Sequence, residues 1–187
     1  MARTPTTNIP LGFKAPTFKL PDVVSNKDIE LSDLVTENGL VVMFICNHCP
    51  FVVHVIEQIV SLANDYLGKK IGFVSISSND IVNYPDDSPE KMRKFAQKYY
   101  FPFPYLYDES QEIAKAYDAA CTPDFSVFDQ NLNCIYRGQL DDARPGNEEP
   151  NNGKDLRLVL DYLLQNKKLD FEQKPSLGCN ICLLYTS

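Results

Sequence analysis

The apolar positions of this chain fall into runs that alternate between two periods. Leu40 to Ile45 is an unbroken apolar run, the pattern of a strand covered on both faces. The run stops at Cys46. From Phe51 to Leu67 the residues Phe51, Val52, Val55, Ile56, Ile59, Val60, Ala63 and Leu67 recur at helical spacing, with His54, Glu57, Gln58, Ser61 and Asp65 on the polar side, so that His54 reads as solvated. Ile71 to Ser78 reads as a second buried strand, followed by a polar loop containing Pro85, Asp86 and Asp87. Strand, helix and strand in this order predict a parallel βαβ unit. Ser88 and Pro89 open a helix that carries Met92, Phe95, Ala96 and Tyr99 on one side. A third helix is predicted from Asp108, with Gln111 as its capping partner and Ile113, Ala114 and Tyr117 turned inward. Pro123 ends any helix. Asp124 to Asp129 and Cys134 to Gly138 read as an antiparallel hairpin around Gln130, Asn131 and Asn133, and Leu156, Val159, Leu160, Leu163 and Leu164 define a last helix behind a polar loop from Asp141 to Gly153.

At 187 residues the chain suits one α/β domain spanning 1–187, with a central mixed sheet flanked by helices. Residues 1–25 read as an N-terminal extension and 166–187 as a C-terminal tail. The net charge of -7, with 25 acidic against 18 basic residues, speaks against nucleic acid and against anionic membrane surfaces as partners. No apolar run approaches the roughly 18 residues of a membrane helix. Met1 to Leu20 holds three prolines and no apolar core of a secretory signal, so the expectation is a cytoplasmic protein. In such a compartment six cysteines point to reactive thiols rather than to a disulfide scaffold.

Cys46-Asn47-His48-Cys49 follows a buried strand and opens a helix, which is the setting of a redox pair. Pro50 fits only the first helical turn and Asn47 is a good N-cap, which puts Cys46 just ahead of the helix. Unpaired backbone donors and the helix dipole favour a thiolate there, so Cys46 is the expected attacking sulfur and Cys49 the resolving one. His48 is placed to add positive charge, or is an exposed loop residue. The competing readings of the pair are small buried hydrophobes and half of a zinc site completed by Cys179-x-x-Cys182.

The segment Phe44-Ile45-Cys46-Asn47-His48-Cys49-Pro50-Phe51-Val52 resembles the active-site segment of thioredoxin-like proteins of the alkyl hydroperoxide reductase and thiol-specific antioxidant superfamily. Tyr117-Asp118-Ala119-Ala120-Cys121-Thr122-Pro123-Asp124-Phe125, Tyr136 to Pro145, and Pro175-Ser176-Leu177-Gly178-Cys179-Asn180-Ile181 resemble further segments of that family, so the likeness spans nearly the whole chain. It implies a thioredoxin-like fold in which Pro123 is cis, faces the cysteine pair and exposes the backbone of Thr122 to an extended substrate. It also implies thiol–disulfide exchange in redox homeostasis. The substrate would be a disulfide-containing protein or small disulfide, the reductant thioredoxin- or glutathione-linked, and no bound cofactor or metal is required.

Two other functions stay open at this stage. A peroxiredoxin-like peroxidase would use Cys49, but its Pro-x-x-x-Thr/Ser-x-x-Cys pattern meets Val42 and Cys46 at the proline and hydroxyl positions, and Arg144 would have to supply the guanidinium. A copper-binding module would use the pair with His48 or His54. Cys121 is a candidate third thiol or a packing residue, Cys134 a packing residue, and Asp141, Asp142 and Arg144 a cluster that gates the pair or caps its loop. Residues 182–187 depart from the family and read as adapter-derived sequence.

Overall fold

The computed structural model describes residues 3–181. From the N-terminus the chain forms β1 (Arg3–Pro5), β2 (Lys19–Pro21), β3 (Asp28–Glu30), α1 (Leu31–Leu34), β4 (Leu40–Phe44), α2 (Pro50–Leu67) and β5 (Gly72–Ser77). A short 3-10 turn, Pro85–Asp87, precedes α3 (Pro89–Lys98) and β6 (Tyr105–Tyr107). The remainder is α4 (Glu112–Ala116), β7 (Cys121–Thr122), β8 (Asp124–Phe128), β9 (Cys134–Gly138), α5 (Lys154–Leu164) and β10 (Leu177–Asn180).

Five strands make the central sheet in the order β6-β5-β4-β8-β9. β4, β5 and β6 are parallel, as the predicted βαβ unit requires, while β8 pairs antiparallel with β4 and β9 antiparallel with β8. Strand geometry sends alternate side chains to opposite faces. Along β4, Val41 and Met43 therefore join the core beneath α2, α3 and α5, and Leu40, Val42 and Phe44 join a second core with Leu31 of α1 and Ala114 of α4. Both faces are covered, which is why the run is apolar without alternation.

Three features differ from the sequence-based expectations. The helix predicted from Asp108 starts only at Glu112, because Tyr105–Tyr107 is used as edge strand β6 and Gln111 adopts a left-handed backbone with φ 61° at the helix start. Gln111 turns its amide to the Ser78 carbonyl instead of capping, and it is the Asp108 carboxylate that accepts the Ala114 N–H. His54 is half-buried, and its Nε2 is enclosed without a hydrogen-bond partner, so it is not solvated.

The third difference concerns both ends of the chain. β10, inside the expected tail, lies between β1 and β7 in a separate antiparallel sheet, with Arg3 opposite Cys179 and Cys179 opposite Thr122. Thr6 ties this sheet to the main one: its N–H donates to the Ser176 carbonyl, and its hydroxyl donates to Asp124 at 2.8 Å. Short strands with a single apolar position give little periodic signal, which is why these elements escape a reading of pattern alone. Gly178 permits the close approach of β10 to β7, since a Cβ there would lie 2.0 Å from the Thr122 carbonyl oxygen. Gly178→Ala is accordingly expected to destabilise the protein by about 1–3 kcal/mol or more through overpacking against rigid backbone, read as a lowered urea midpoint; a wild-type midpoint would mean that β10 shifts freely.

Candidate active site

The sheet delivers Cys46 directly. β4 ends at Phe44, the Ile45 N–H still donates to the Ile76 carbonyl, and the next four residues leave the sheet as a loop into α2. The loop is fastened by a side chain that the sequence pattern places only in a polar loop. Asp87, fully buried, accepts the Asn47 N–H at 2.7 Å with one carboxylate oxygen, and with the other meets His48 Nδ1 at 2.6 Å and the Asn79 side-chain amide at 2.8 Å. Asn47 also donates to the Asp86 carbonyl and accepts from the Tyr105 hydroxyl. The His48 ring stacks on Tyr84, with centroids 5.2 Å apart and planes 8° from parallel. An aspartate after Pro-Asp in a polar stretch is ordinary turn chemistry, and no local sequence signal separates Asp87 from Asp86.

The helix starts two residues later than the Asn47 cap would require. Cys49 is the N-cap of α2, with Pro50 as first helical residue. This transfers the positive end of the helix from Cys46 to Cys49. Cys49 is held below the ordinary thiol value of 9.0 chiefly because the Cys46 thiol donates to it; burial works the other way, and the Cys179 thiol and the backbone N–H groups of Val52 and Cys179 add to the lowering. Cys46 is pushed well above 9.0 by donating to Cys49, by burial and by the charge of Asp87. In this geometry the thiol held low is that of Cys49, the helix N-cap, whereas the sequence pattern puts the helix end beside Cys46. His48 is raised above 6.5, first by its hydrogen bond to Asp87, and the Cys49 charge contributes in the same direction; the imidazolium in turn favours that thiolate.

Thr122 and Pro123 close the other side of the pair. The Thr122–Pro123 peptide is cis. The Thr122 hydroxyl lies 3.3 Å from the Cys46 sulfur, and the Thr122 carbonyl oxygen lies 3.2 Å from the Cys49 sulfur. The expected exposure of the Thr122 backbone is not what the structure has: Thr122 is buried, and Cys179 of β10 is paired with it. The Cys179 sulfur reaches 2.6 Å from that of Cys49. Three sulfurs thus meet in one place, and the third comes from a segment whose role the sequence leaves open.

Other candidates lie further out. Cys121 is buried beside Thr6 and Asp124, where burial pushes its thiol up, and its sulfur turns to the Pro123 carbonyl. Cys134 donates to the Tyr136 carbonyl within strand β9, the packing role expected of it. Arg137 fixes the approach to Thr122 by donating to the Tyr117 and Asp118 carbonyls, and it stands 3.5 Å from Asp124. Arg144 does not turn to the thiols; its guanidinium donates to the Asp141 and Ala143 carbonyls and to Gln139. The buried Asp141 carboxylate accepts the N–H groups of Ala143, Asn152 and Gly153, so this cluster holds the loop before α5. Cys46, His48 and Asp87 form a compact group of ligand-type atoms within 4.8 Å of one another, while His54 is not part of it. Cys182, needed for a paired-cysteine zinc site, lies outside the described residues.

A cysteine pair at the junction of a central strand and a helix, facing a cis-proline across a mixed sheet, defines the class of thioredoxin-fold redox proteins. The chain is 24% identical to a putative thioredoxin from Neisseria meningitidis, covering 81% of this chain and 90% of that one, with a TM-score of 0.63, a likeness of fold. Residues 11–137 match the AhpC/TSA family, and the chain belongs to that family. Much nearer in sequence is an uncharacterized conserved protein from Geobacillus kaustophilus, 51% identical over 100% of this chain and 99% of that one, with a TM-score of 0.97. A hypothetical protein from Sinorhizobium meliloti 1021 is 42% identical over 97% of this chain and 99% of that one, with a TM-score of 0.95. No curated protein matches the chain. Among the described residues, no helix is long and apolar enough to cross a membrane.

Two measurements check the electrostatics. The ultraviolet absorbance of a thiolate is expected to persist well below pH 9 in the native protein and to be lost there in Cys49→Ser; its retention in that variant would put the charge on Cys46. Because folding raises the His48 pKa, the His48–Asp87 pair stabilises the fold fully below the unfolded value of 6.5 and loses that contribution as pH rises through the higher folded value. Asp87→Asn is thus expected to lower the His48 titration seen by NMR, and to cost more stability at pH 6 than at pH 9. An unmoved His48 titration would show that another group sets it.

Proposed function

We propose that this protein is a thiol–disulfide oxidoreductase in which Cys46 and Cys49 cycle between dithiol and disulfide. The observation that carries the reading is the placement of the two sulfurs between the end of β4 and the first turn of α2, against the cis Thr122–Pro123 peptide, with Cys46 3.3 Å from the Thr122 hydroxyl and Cys49 3.2 Å from the Thr122 carbonyl oxygen. In this reading Cys49, at the helix N-terminus, is the more acidic sulfur and Cys46 the attacking one. Both sulfurs are buried; Cys49 is bordered by Cys179 and the Thr122 carbonyl, and Cys46, bordered by the Thr122 hydroxyl where β4 ends, is assigned the encounter with an incoming disulfide.

In the first step the Cys46 sulfur forms a bond to one sulfur of the substrate disulfide while its proton passes to Cys49. The other substrate sulfur leaves as a thiolate. Cys49, stabilised as a thiolate by the α2 N-terminus, then gives its proton to that leaving group and attacks Cys46, releasing the second substrate sulfur as a thiolate, which takes its proton from solvent, and forming the Cys46–Cys49 disulfide. The substrate is reduced by two electrons, and the protein is oxidised by two. An external dithiol, thioredoxin- or glutathione-linked, returns it to the starting state, and a reducing compartment such as the cytoplasm suits that cycle. A disulfide-bearing protein or a small disulfide fits the substrate role.

Thiol peroxidase is the second reading, favoured by one feature: the anionic sulfur at the helix N-terminus is Cys49, the position a peroxidatic thiol would take. Arg144 is committed to the 139–143 loop and does not serve that sulfur.

Insulin reduction separates the two. Cys46→Ser is expected to lower turnover by at least about a thousandfold, the scale on which loss of a covalent nucleophile is felt. Cys49→Ser is expected to accumulate a mixed disulfide at Cys46, seen as an added mass. Peroxide consumption that survives Cys46→Ser and fails in Cys49→Ser, without insulin reduction by the native protein, would replace the exchange mechanism with the peroxidase one.

A further inference from the structure

We propose that Cys179 is a third redox thiol, presented to Cys49 by the C-terminal strand as a built-in substrate, so that the oxidised pair exchanges internally to a Cys49–Cys179 disulfide. The inference rests on the dithiol reading for the source of its oxidising equivalents.

The sulfur of Cys179 lies 2.6 Å from that of Cys49, within about 0.6 Å of a covalent S–S bond. Backbone geometry puts it there. Cys179 pairs with Thr122, the residue before the cis-proline, and Ile181 donates its N–H to the Ala120 carbonyl, so β10 lies on the backbone edge facing the thiols. Gly178 allows that edge to be approached, and the flanking register of Arg3 opposite Cys179 holds the strand from its far side. A strand that only filled space would suit any small apolar residue at 179. This one directs a buried thiol at the central sulfur of a redox pair, and its backbone N–H faces the same atom.

The chemistry balances without a further reagent. In the oxidised protein, Cys179–SH attacks the Cys49 sulfur of the Cys46–Cys49 disulfide; the Cys49–Cys179 bond forms, the Cys46–Cys49 bond breaks, and the proton of Cys179 ends on Cys46. Nothing is oxidised or reduced overall. The state of the pair also controls the step. In the reduced protein burial keeps the Cys179 thiol high, and so do its hydrogen bond to Cys49 and the Cys49 charge. Oxidation of Cys49 removes that charge and that acceptor, so Cys179 releases its proton more readily when an acceptor disulfide stands beside it. The result restores a free thiol at Cys46 and leaves the oxidising equivalents on two buried sulfurs.

The test uses the full chain with Cys182→Ser, so that any link to the C-terminal peptide passes through Cys179. In the Cys46→Ser variant of that chain, stoichiometric diamide followed by denaturing alkylation and peptide mapping is expected to show Cys49 joined to Cys179, with Cys121 and Cys134 alkylated. Cys46→Ala provides the same readout should the serine variant fold poorly. With Cys46 present and one equivalent of oxidised glutathione, acid-quenched samples are expected to contain both the Cys46–Cys49 and Cys49–Cys179 links. Cys179 fully alkylated in all samples while Cys49 carries an adduct, or an exclusive Cys46–Cys49 link in the chain with Cys46, overturns the proposal. Insulin reduction by the native chain with Cys179 always free sinks the relay alone. Failure to reduce insulin together with a Cys49–Cys179 link in the Cys46→Ser variant sinks the exchange mechanism instead.

Discussion

A strand that is covered on both faces can carry no chemistry along its length, and the organisation of this protein follows from that constraint on β4. Its five residues supply side chains to two separate cores, and any polar atom among them would lose hydration without a partner. The first place where reactive groups can stand is the point where the strand runs out, and Cys46 stands there. Once the chain leaves the sheet it needs a new source of order. The N-terminus of α2 supplies one side of it and the Asp87 carboxylate the other.

Within the site, position and charge are assigned to different atoms. Cys49 is the helix cap, where its thiol is held low, and Cys46 is the sulfur turned to the Thr122 hydroxyl, where its thiol is held high. His48 and Asp87 act on this arrangement from behind the loop. The imidazolium favours the thiolate on Cys49, while the Asp87 charge discourages one on Cys46, so a single ion pair pushes the same proton in one direction. Substituting either partner would disturb the division of labour between the sulfurs as well as the shape of the loop.

The long elements were legible from the order of apolar residues because each buries a continuous face: β4, α2, β5 and the β8–β9 hairpin fall within a residue or two of where periodicity puts them. The cysteine pair, His48, Thr122 and Pro123 were legible as a constellation, from spacing or from resemblance. What escaped was information that no window of sequence contains. Asp87 differs from Asp86 only in facing Asn47 and His48 from 39 or 40 positions away. The cap moved from Asn47 to Cys49 because Asn47 spends its side chain on Asp86 and Tyr105. β10 has four residues, and its importance lies in the strand it pairs with rather than in its own pattern.

The placement of β10 has a temporal side. Cys49 and Cys179 are 130 positions apart, so at the pace of translation, about 5–20 residues per second, the helix that carries Cys49 is made roughly 7–26 s before its sulfur neighbour. Thr122 arrives partway through that interval, and its strand partner Cys179 only at the end. The sulfur of Cys179 is thus the last of the three to be made, and its contacts with Cys49 and Thr122 can form only after the rest of the site has been synthesised.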